Sequence, residues 1–203
     1  MGRRSAHTAD ELRALILEAA EKIIEREGLA GLSARTIARN IDYSPGTLYN
    51  IFANLDDLVL QVEARVLDQL DAKLSEVPRD GTPSERIQRI ARAYQCFTSA
   101  KPKLWNLLFE HHLPSGVAVP EWYQQKLDRL MSHVETAIGP ALGHGDHVRL
   151  KRSARVLWAG VHGITSLATA EKLVTVSSDA AQMLIDDLVV TYVRGLELGA
   201  RLP

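Results

Sequence analysis

A chain of 203 residues with 46% hydrophobic side chains is long enough for one large or two small domains and has ample material for a core, which excludes a disordered polymer. Aromatic residues make up only 5%, β-branched runs are scarce, and Ala, Leu, Glu and Arg dominate, so the expected fold class is all-α. A formal net charge of −1 excludes a generally basic footprint: nucleic acid would have to be held by a local patch, with an affinity that falls with salt.

The chain opens on Arg3 and Arg4, a basic arm that reads equally as a backbone or minor-groove contact and as a solvated tail. Residues 1–10 lack the apolar stretch of a signal peptide. Thr8 and Glu11 have the spacing of a capping box, and Leu12, Leu15, Ile16, Ala19, Ala20, Ile23 and Ile24 follow the three-four spacing of an amphipathic helix that Gly28 ends. Ser33 can cap a short helix with Ile37, Ala38 and Ile41 on one face. After the turn at Asp42-Tyr43, Ser44 and Pro45 suit the N-cap and first position of a second short helix. The pattern is helix, tight turn, helix. Gly46, Thr47 and Asn50 lie on its exposed front, while Leu48, Ile51 and Phe52 point back. Small hydrogen-bonding residues there suit base edges in a major groove, although spacing alone fits an ordinary helical hairpin as well.

The stretch resembles the DNA-binding domain of TetR-family transcriptional regulators through Ser33, Arg35, Ile37, Ala38, Ser44, Gly46, Thr47, Leu48, Tyr49, Phe52, Asp56, Asp57 and Leu58. The resemblance implies that Ser33, Arg35, Pro45, Gly46, Thr47, Tyr49 and Asn50 contact double-stranded DNA, with Pro45, Gly46, Thr47 and Asn50 nearest the bases and Tyr49 on a phosphate; Ser44 at the N-cap and Arg4 of the basic arm are expected to join them. Two departures stand out. Asp42 occupies a turn position usually held by glycine, tolerable because Asp visits the left-handed region more readily than most residues; Leu55 replaces a lysine, removing one phosphate contact.

Asn54 caps the next helix, which Leu58, Val59, Val62, Val66, Leu67, Leu70 and Leu74 carry to about Ser75. The division read along the chain is therefore a helix-turn-helix domain over 1–53, a connecting helix over 54–77 and a helical domain over 78–203. In the last, Ser84 is expected to cap a helix to Ser99, Pro102 to start another, and Pro120 to lead one that Gly139-Pro140 closes. Two further helices, Val148 to about Leu173 and Asp179 to Leu198 capped by Ser178, are apolar over more than the roughly 100° a surface helix needs. One side is expected to pack on the chain and another on a second copy, giving a homodimer with a four-helix interface that includes Leu157, Val161, Ile164, Leu184, Leu188 and Tyr192.

Trp158-Ala-Gly-Val-His162-Gly163 is similar to a Trp-x-x-x-His-Gly signature of one TetR subgroup, and the family's C-terminal domains dimerise and enclose an effector pocket. That implies a largely apolar small-molecule site drawn from Tyr94, Phe97, Trp105, Phe109, His112, Trp122, Tyr123, Trp158 and His162, with Thr98 and Thr165 as further polar groups; solid core packing is the other reading of this cluster. Cys96, the single cysteine, sits among apolar residues and reads as a buried inert thiol rather than a redox sensor. The histidines show no HExxH spacing, and adjacent His111 and His112 point about 100° apart on a helix, so no metal, cofactor or catalytic centre is expected. The longest apolar tract, 154–170, contains Arg155 and His162 and reads as a buried helix, not a membrane span.

The resulting expectation is a cytoplasmic, homodimeric repressor on a palindromic operator. An effector would favour a conformation whose recognition helices no longer match major grooves about 34–36 Å apart, a switch that needs a preference of about 5 kcal/mol. Two readings from other classes stay open on the residues alone: a ligand-binding protein whose DNA reader has degenerated, and a helical enzyme using the histidines.

Overall fold

The computed structural model describes residues 7–143 and 146–199, and among these the chain forms nine α-helices, two 3-10 turns and no strand. The basic arm with Arg3 and Arg4, and His144, lie outside the described residues.

Helix α1, Ala9–Glu27, begins on a complete capping box: the Thr8 hydroxyl accepts the Glu11 N–H at 3.3 Å and the Glu11 carboxylate accepts the Thr8 N–H at 2.7 Å. It ends at Gly28, whose φ of 76° suits a residue without a Cβ. After a 3-10 turn at Leu29–Gly31, α2, Ala34–Asn40, is capped by Ser33 in a reciprocal box with Thr36. Asp42 then takes a φ of 58°, the left-handed conformation its side chain tolerates, and α3, Pro45–Leu48, comes next. Helix α4, Leu55–Ser75, starts with the Asp57 N–H donating to the Asn54 side chain at 2.8 Å.

The remaining helices are α5, Pro83–Ala100; α6, Pro102–Glu110; α7, Glu121–Leu142; α8, His147–Thr169; and α9, Ala181–Gly199. Their ends depart from expectation in four places, the first being α8, which stops at Thr169 instead of about Leu173 because Glu171 turns to a φ of 57° and a separate 3-10 turn follows at Leu173–Thr175. Thr82, not Ser84, caps α5: its hydroxyl accepts the Glu85 N–H at 3.3 Å and its own N–H donates to Glu85, which leaves Pro83 at the first helical position where no N–H is needed. Ala180, not Ser178, precedes α9, and its carbonyl accepts the Leu184 N–H at 3.3 Å. Gly139-Pro140 does not end α7, which runs on to Leu142. Proline removes one hydrogen bond to the carbonyl four residues back, and that carbonyl, of Thr136, instead accepts the Arg86 guanidinium at 3.3 Å, while Ala137, Ile138 and Ala141 are buried.

The chain packs as two units. One comprises residues up to Val66 with Lys101–Tyr123; the other comprises Leu67–Ala100 with the chain from Gln124. The packing boundary differs from the one read along the sequence, because α6 packs on α1 and on the Leu29–Gly31 turn. Its Leu104 and Leu107 close a core with Ile16, Ile23, Ile24, Ile37, Leu48, Phe52 and Val62, all essentially free of solvent. The division also falls within α4, after Val66.

In the second unit α5, α8 and α9 pack mutually, with Ile87, Ala91, Ala154, Leu157, Ile185, Val189 and Val193 inside. Gly160 brings α8 against α9, since a Cβ there would stand 2.7 Å from Leu188 Cδ2. The α4 residues of this unit are tied to α7 by Lys126 with Asp68 and by His133 Nε2 with Asp71 Oδ1 at 2.7 Å. Cys96 is exposed, contrary to the buried thiol expected, because it lies on the outer face of α5, two residues from buried Tyr94 and Thr98. No helix of the described residues is long and apolar enough to cross a membrane.

Candidate nucleic-acid interface

From Ser44 to Asn50 the chain presents an outward surface on an inward anchor. Ser44, Pro45, Gly46, Tyr49 and Asn50 are exposed and Thr47 is half-exposed, whereas Leu48 and Phe52 are each 2% exposed. The local reason is that α3 is a single turn packed on α2, with Leu48 as its one buried residue. Ser44 has the extended backbone of an N-cap, but its hydroxyl meets the Thr47 hydroxyl at 2.9 Å rather than a backbone N–H. Tyr49, 55% exposed, is a large ring with no burial to explain its orientation.

Beside this run α2 contributes Arg35 and Arg39, both exposed and in no ion pair among the described residues. An unpaired, exposed guanidinium is free for phosphate. The Ser33 hydroxyl is engaged in capping: it accepts the Thr36 N–H at 3.1 Å and lies 2.9 Å from the Thr36 hydroxyl. Asp42 needs no glycine because its φ is one that Asp adopts. Next to it, Tyr43 is fixed by its N–H to the Ala38 carbonyl at 2.9 Å and by its hydroxyl to His7 Nδ1 at 2.7 Å.

Two polar networks behind this surface were not anticipated. In the first, the Arg13 guanidinium donates to the Ile51 carbonyl at 3.0 Å and to Gln61 Oε1 at 2.6 Å and lies 4.9 Å from the centre of the Phe52 ring. The Gln61 amide donates to Asp57 Oδ1 at 2.9 Å, and Asp57 Oδ2 accepts the Ala53 N–H at 2.9 Å. In the second, His111 at the end of α6 reaches two turns of α4. Its Nδ1 is 2.9 Å from Glu63 Oε1 and its Nε2 3.3 Å from Asp56 Oδ1, and Tyr123 hydrogen-bonds to Glu63. Burial pushes the Glu63 carboxyl above the usual carboxylate range, and burial together with Glu63 holds the Tyr123 hydroxyl well above its own. Arg13 and Glu63 both interrupt apolar stripes in the sequence, which is the signal that was available for them.

The candidate effector residues divide between the units. In the second, the Tyr94 hydroxyl lies 2.7 Å from His162 Nδ1, Trp158 stacks on the imidazole at 5.2 Å, and Ser166 is 3.2 Å from Nε2. Burial lowers the affinity of His162 for its proton. Thr98 and Thr165 are buried nearby in the chain on α5 and α8, and Phe97 is half-buried. Trp105, Phe109, His112, Trp122 and Tyr123 belong to the first unit. There Trp105 packs edge-on against Phe109, and Trp122 against Tyr123; Phe109 and Trp122 are 43% and 40% exposed, and His112 turns back to the Glu110 carbonyl. Of the candidate dimer residues, Leu157 and Val161 are closed within the unit's own core and have no surface left for a partner, whereas Ile164, Leu184, Leu188 and Tyr192 are half-exposed. The exposed apolar side chains of α8 and α9 are Val148, Val156, Leu167, Met183 and Leu198.

Two family models match: the tetR family of bacterial regulatory proteins over residues 16–62, and the tetracyclin repressor-like C-terminal domain over 87–192. The chain is 28% identical over 141 residues to the HTH-type transcriptional regulator Rv1816 of Mycobacterium tuberculosis, a match covering 68% of this chain and 60% of that protein's length. An uncharacterised HTH-type transcriptional regulator of the same organism, Rv0681, is 23% identical over 95% of this chain and 84% of its own. Among solved structures, a protein of unknown function from Rhodococcus sp. RHA1 superposes with a TM-score of 0.76 at 24% identity, covering 97% of this chain and all of that one. The transcriptional regulator SCO7222, a TetR from Streptomyces coelicolor, does so with a TM-score of 0.68 at 16% identity over 94% and 99%. With its reading unit and its C-terminal helices both matched, the chain belongs to the TetR family of transcriptional regulators.

Proposed function

We propose that the chain acts as a homodimeric, cytoplasmic repressor that binds a palindromic operator in double-stranded DNA, works by binding rather than catalysis, and is released by a small, largely apolar effector. The observation that carries this is the exposed run Ser44–Asn50 standing on buried Leu48 and Phe52 beside the unpaired Arg35 and Arg39. In this reading Pro45, Gly46, Thr47 and Asn50 meet base edges, Tyr49, Ser44, Ser33 and Arg35 meet the backbone, and Arg4 adds a contact from the arm. The helical domain over 78–203 receives the effector, and α4 carries the response to the reader over 1–53.

The effector site with the better support in side-chain chemistry is the group on α5 and α8, where His162, its proton affinity lowered by burial, lies between Tyr94 and Ser166 and stacks on Trp158, so that polar groups stand beside aromatic rings. The test is selection of random duplex DNA by the purified protein, read by sequencing, with Thr47→Ala alongside. An inverted repeat enriched by the parent and lost in the variant is the expected result. Absence of any enriched sequence from folded protein overturns the proposal.

A further inference from the structure

Arg13 lies outside the exposed reading run, yet the end of that run is fastened to it. Helix α3 is only Pro45–Leu48, too short to hold its own direction, since a single turn is far below the length at which a helix is stable alone. The segment 51–54, between α3 and α4, is gripped from two sides. From α1 the Arg13 fork takes the Ile51 carbonyl at 3.0 Å and covers the buried Phe52 ring at 4.9 Å. From α4 the Asp57 carboxylate takes the Ala53 N–H at 2.9 Å. A cation on a carbonyl at the end of a helical turn is the favourable polarity, and it satisfies an acceptor the turn leaves over.

Gln61 joins the two grips. Arginine has only donors and a carboxylate only acceptors; the amide between them turns its oxygen to Arg13 at 2.6 Å and its NH2 to Asp57 at 2.9 Å. A glutamate there would still accept from Arg13 but would face Asp57 with a like charge. We propose that Arg13, relayed by Gln61 and Asp57, is a positioning residue for DNA recognition: without touching DNA, it sets the angle at which Pro45–Asn50 is presented. The proposal rests on the DNA-binding reading above, and it goes beyond it in assigning a role to residues away from the interface.

The experiment compares the full-length parent with Arg13→Gln, Arg13→Lys and Gln61→Glu on the selected operator and on random duplex DNA across salt, alongside thermal unfolding and amide exchange of 51–54. Arg13→Gln and Gln61→Glu should weaken operator binding by about tenfold or more and random-duplex binding by less than about threefold, with an unchanged salt slope and faster exchange at 51–54. Arg13→Lys, which keeps the charge without the fork, should fall between. Equal loss on both DNAs with a slope smaller by about one would make Arg13 a phosphate contact and overturn the proposal. So would a lowered melting temperature with the operator-to-random ratio intact. If the parent selects no sequence, the DNA reading fails separately; unchanged exchange at 51–54 then overturns the clasp, and acceleration confined to that segment upholds it.

Discussion

Thr47, Asn50 and Arg35 are all on the surface, but their chemistry separates them. A hydroxyl and an amide can each read a base edge through directed hydrogen bonds, whereas in the reading proposed above the exposed Arg35 on α2 meets the DNA backbone, a contact that carries no sequence information by itself. Thr47→Ala or Asn50→Ala should therefore cost about 1–3 kcal/mol on the selected operator and relax its sequence preference. Arg35→Ala should weaken operator and random duplex alike and lower the salt slope by about one. Titration of DNA in two or more salt concentrations distinguishes the two patterns. His162 makes a prediction about stability. Burial depresses its pKa, so the folded protein binds this proton less readily than the unfolded chain does. Stability from this residue is present above its ordinary value of 6.5 and is lost as pH falls from there through the depressed pKa. Urea unfolding between pH 5 and 8 should show the acid loss in the parent and a smaller one in His162→Gln.

At the scale of elements, what stands out is how much of the geometry is set by helix ends. Thr8 with Glu11, Ser33 with Thr36, Asn54 with Asp57 and Thr82 with Glu85 each satisfy first-turn amides by short-range contacts, and that is why these helices begin where they do. Helix α7 shows the opposite case, a proline tolerated inside a helix because Arg86 meets the Thr136 carbonyl that Pro140 leaves without its usual partner. The approach of α8 to α9 is close at Gly160, where a Cβ would stand 2.7 Å from Leu188 Cδ2. One methyl added there meets only the flexible end of Leu188, and the gain of about 1 kcal/mol in helix propensity offsets the crowding, so Gly160→Ala should be close to neutral. Gly160→Val has no room for its branches and should cost about 1–3 kcal/mol, read by urea unfolding.

For the whole molecule, the deciding matter is which apolar surface a second copy covers. Leu157 and Val161 serve the unit's own core, so the proposed homodimer has to use the half-exposed Ile164, Leu184, Leu188 and Tyr192 with the exposed Val156, Leu167 and Met183. Leu167→Glu should leave helix content and melting largely intact while shifting sedimentation toward the monomer. Leu157→Ala should cost about 2–5 kcal/mol of stability because it empties a buried site. The opposite pattern, a stable dimer in Leu167→Glu, would place the partner on a different face.

The sequence by itself determined the local features. Capping spacings placed α1, α2 and α4, Pro45 after Ser44 placed α3, and the exposed-front, buried-back alternation of Gly46 to Phe52 was legible because helical periodicity is written in neighbouring residues. The matched motif then supplied the family. Only the tertiary structure decided which distant residues meet. Nothing local joins Arg13 to Ile51 and Gln61, or His111 to Asp56 and Glu63, because those contacts form between helices far apart in the chain. For the same reason α6 packs with α1 rather than with the helices after it, and the aromatic residues that look like one cluster in the sequence divide between two units. A capping box or an amphipathic stripe is complete within a few residues of one helix; burial and pairing depend on what another helix brings to the same place.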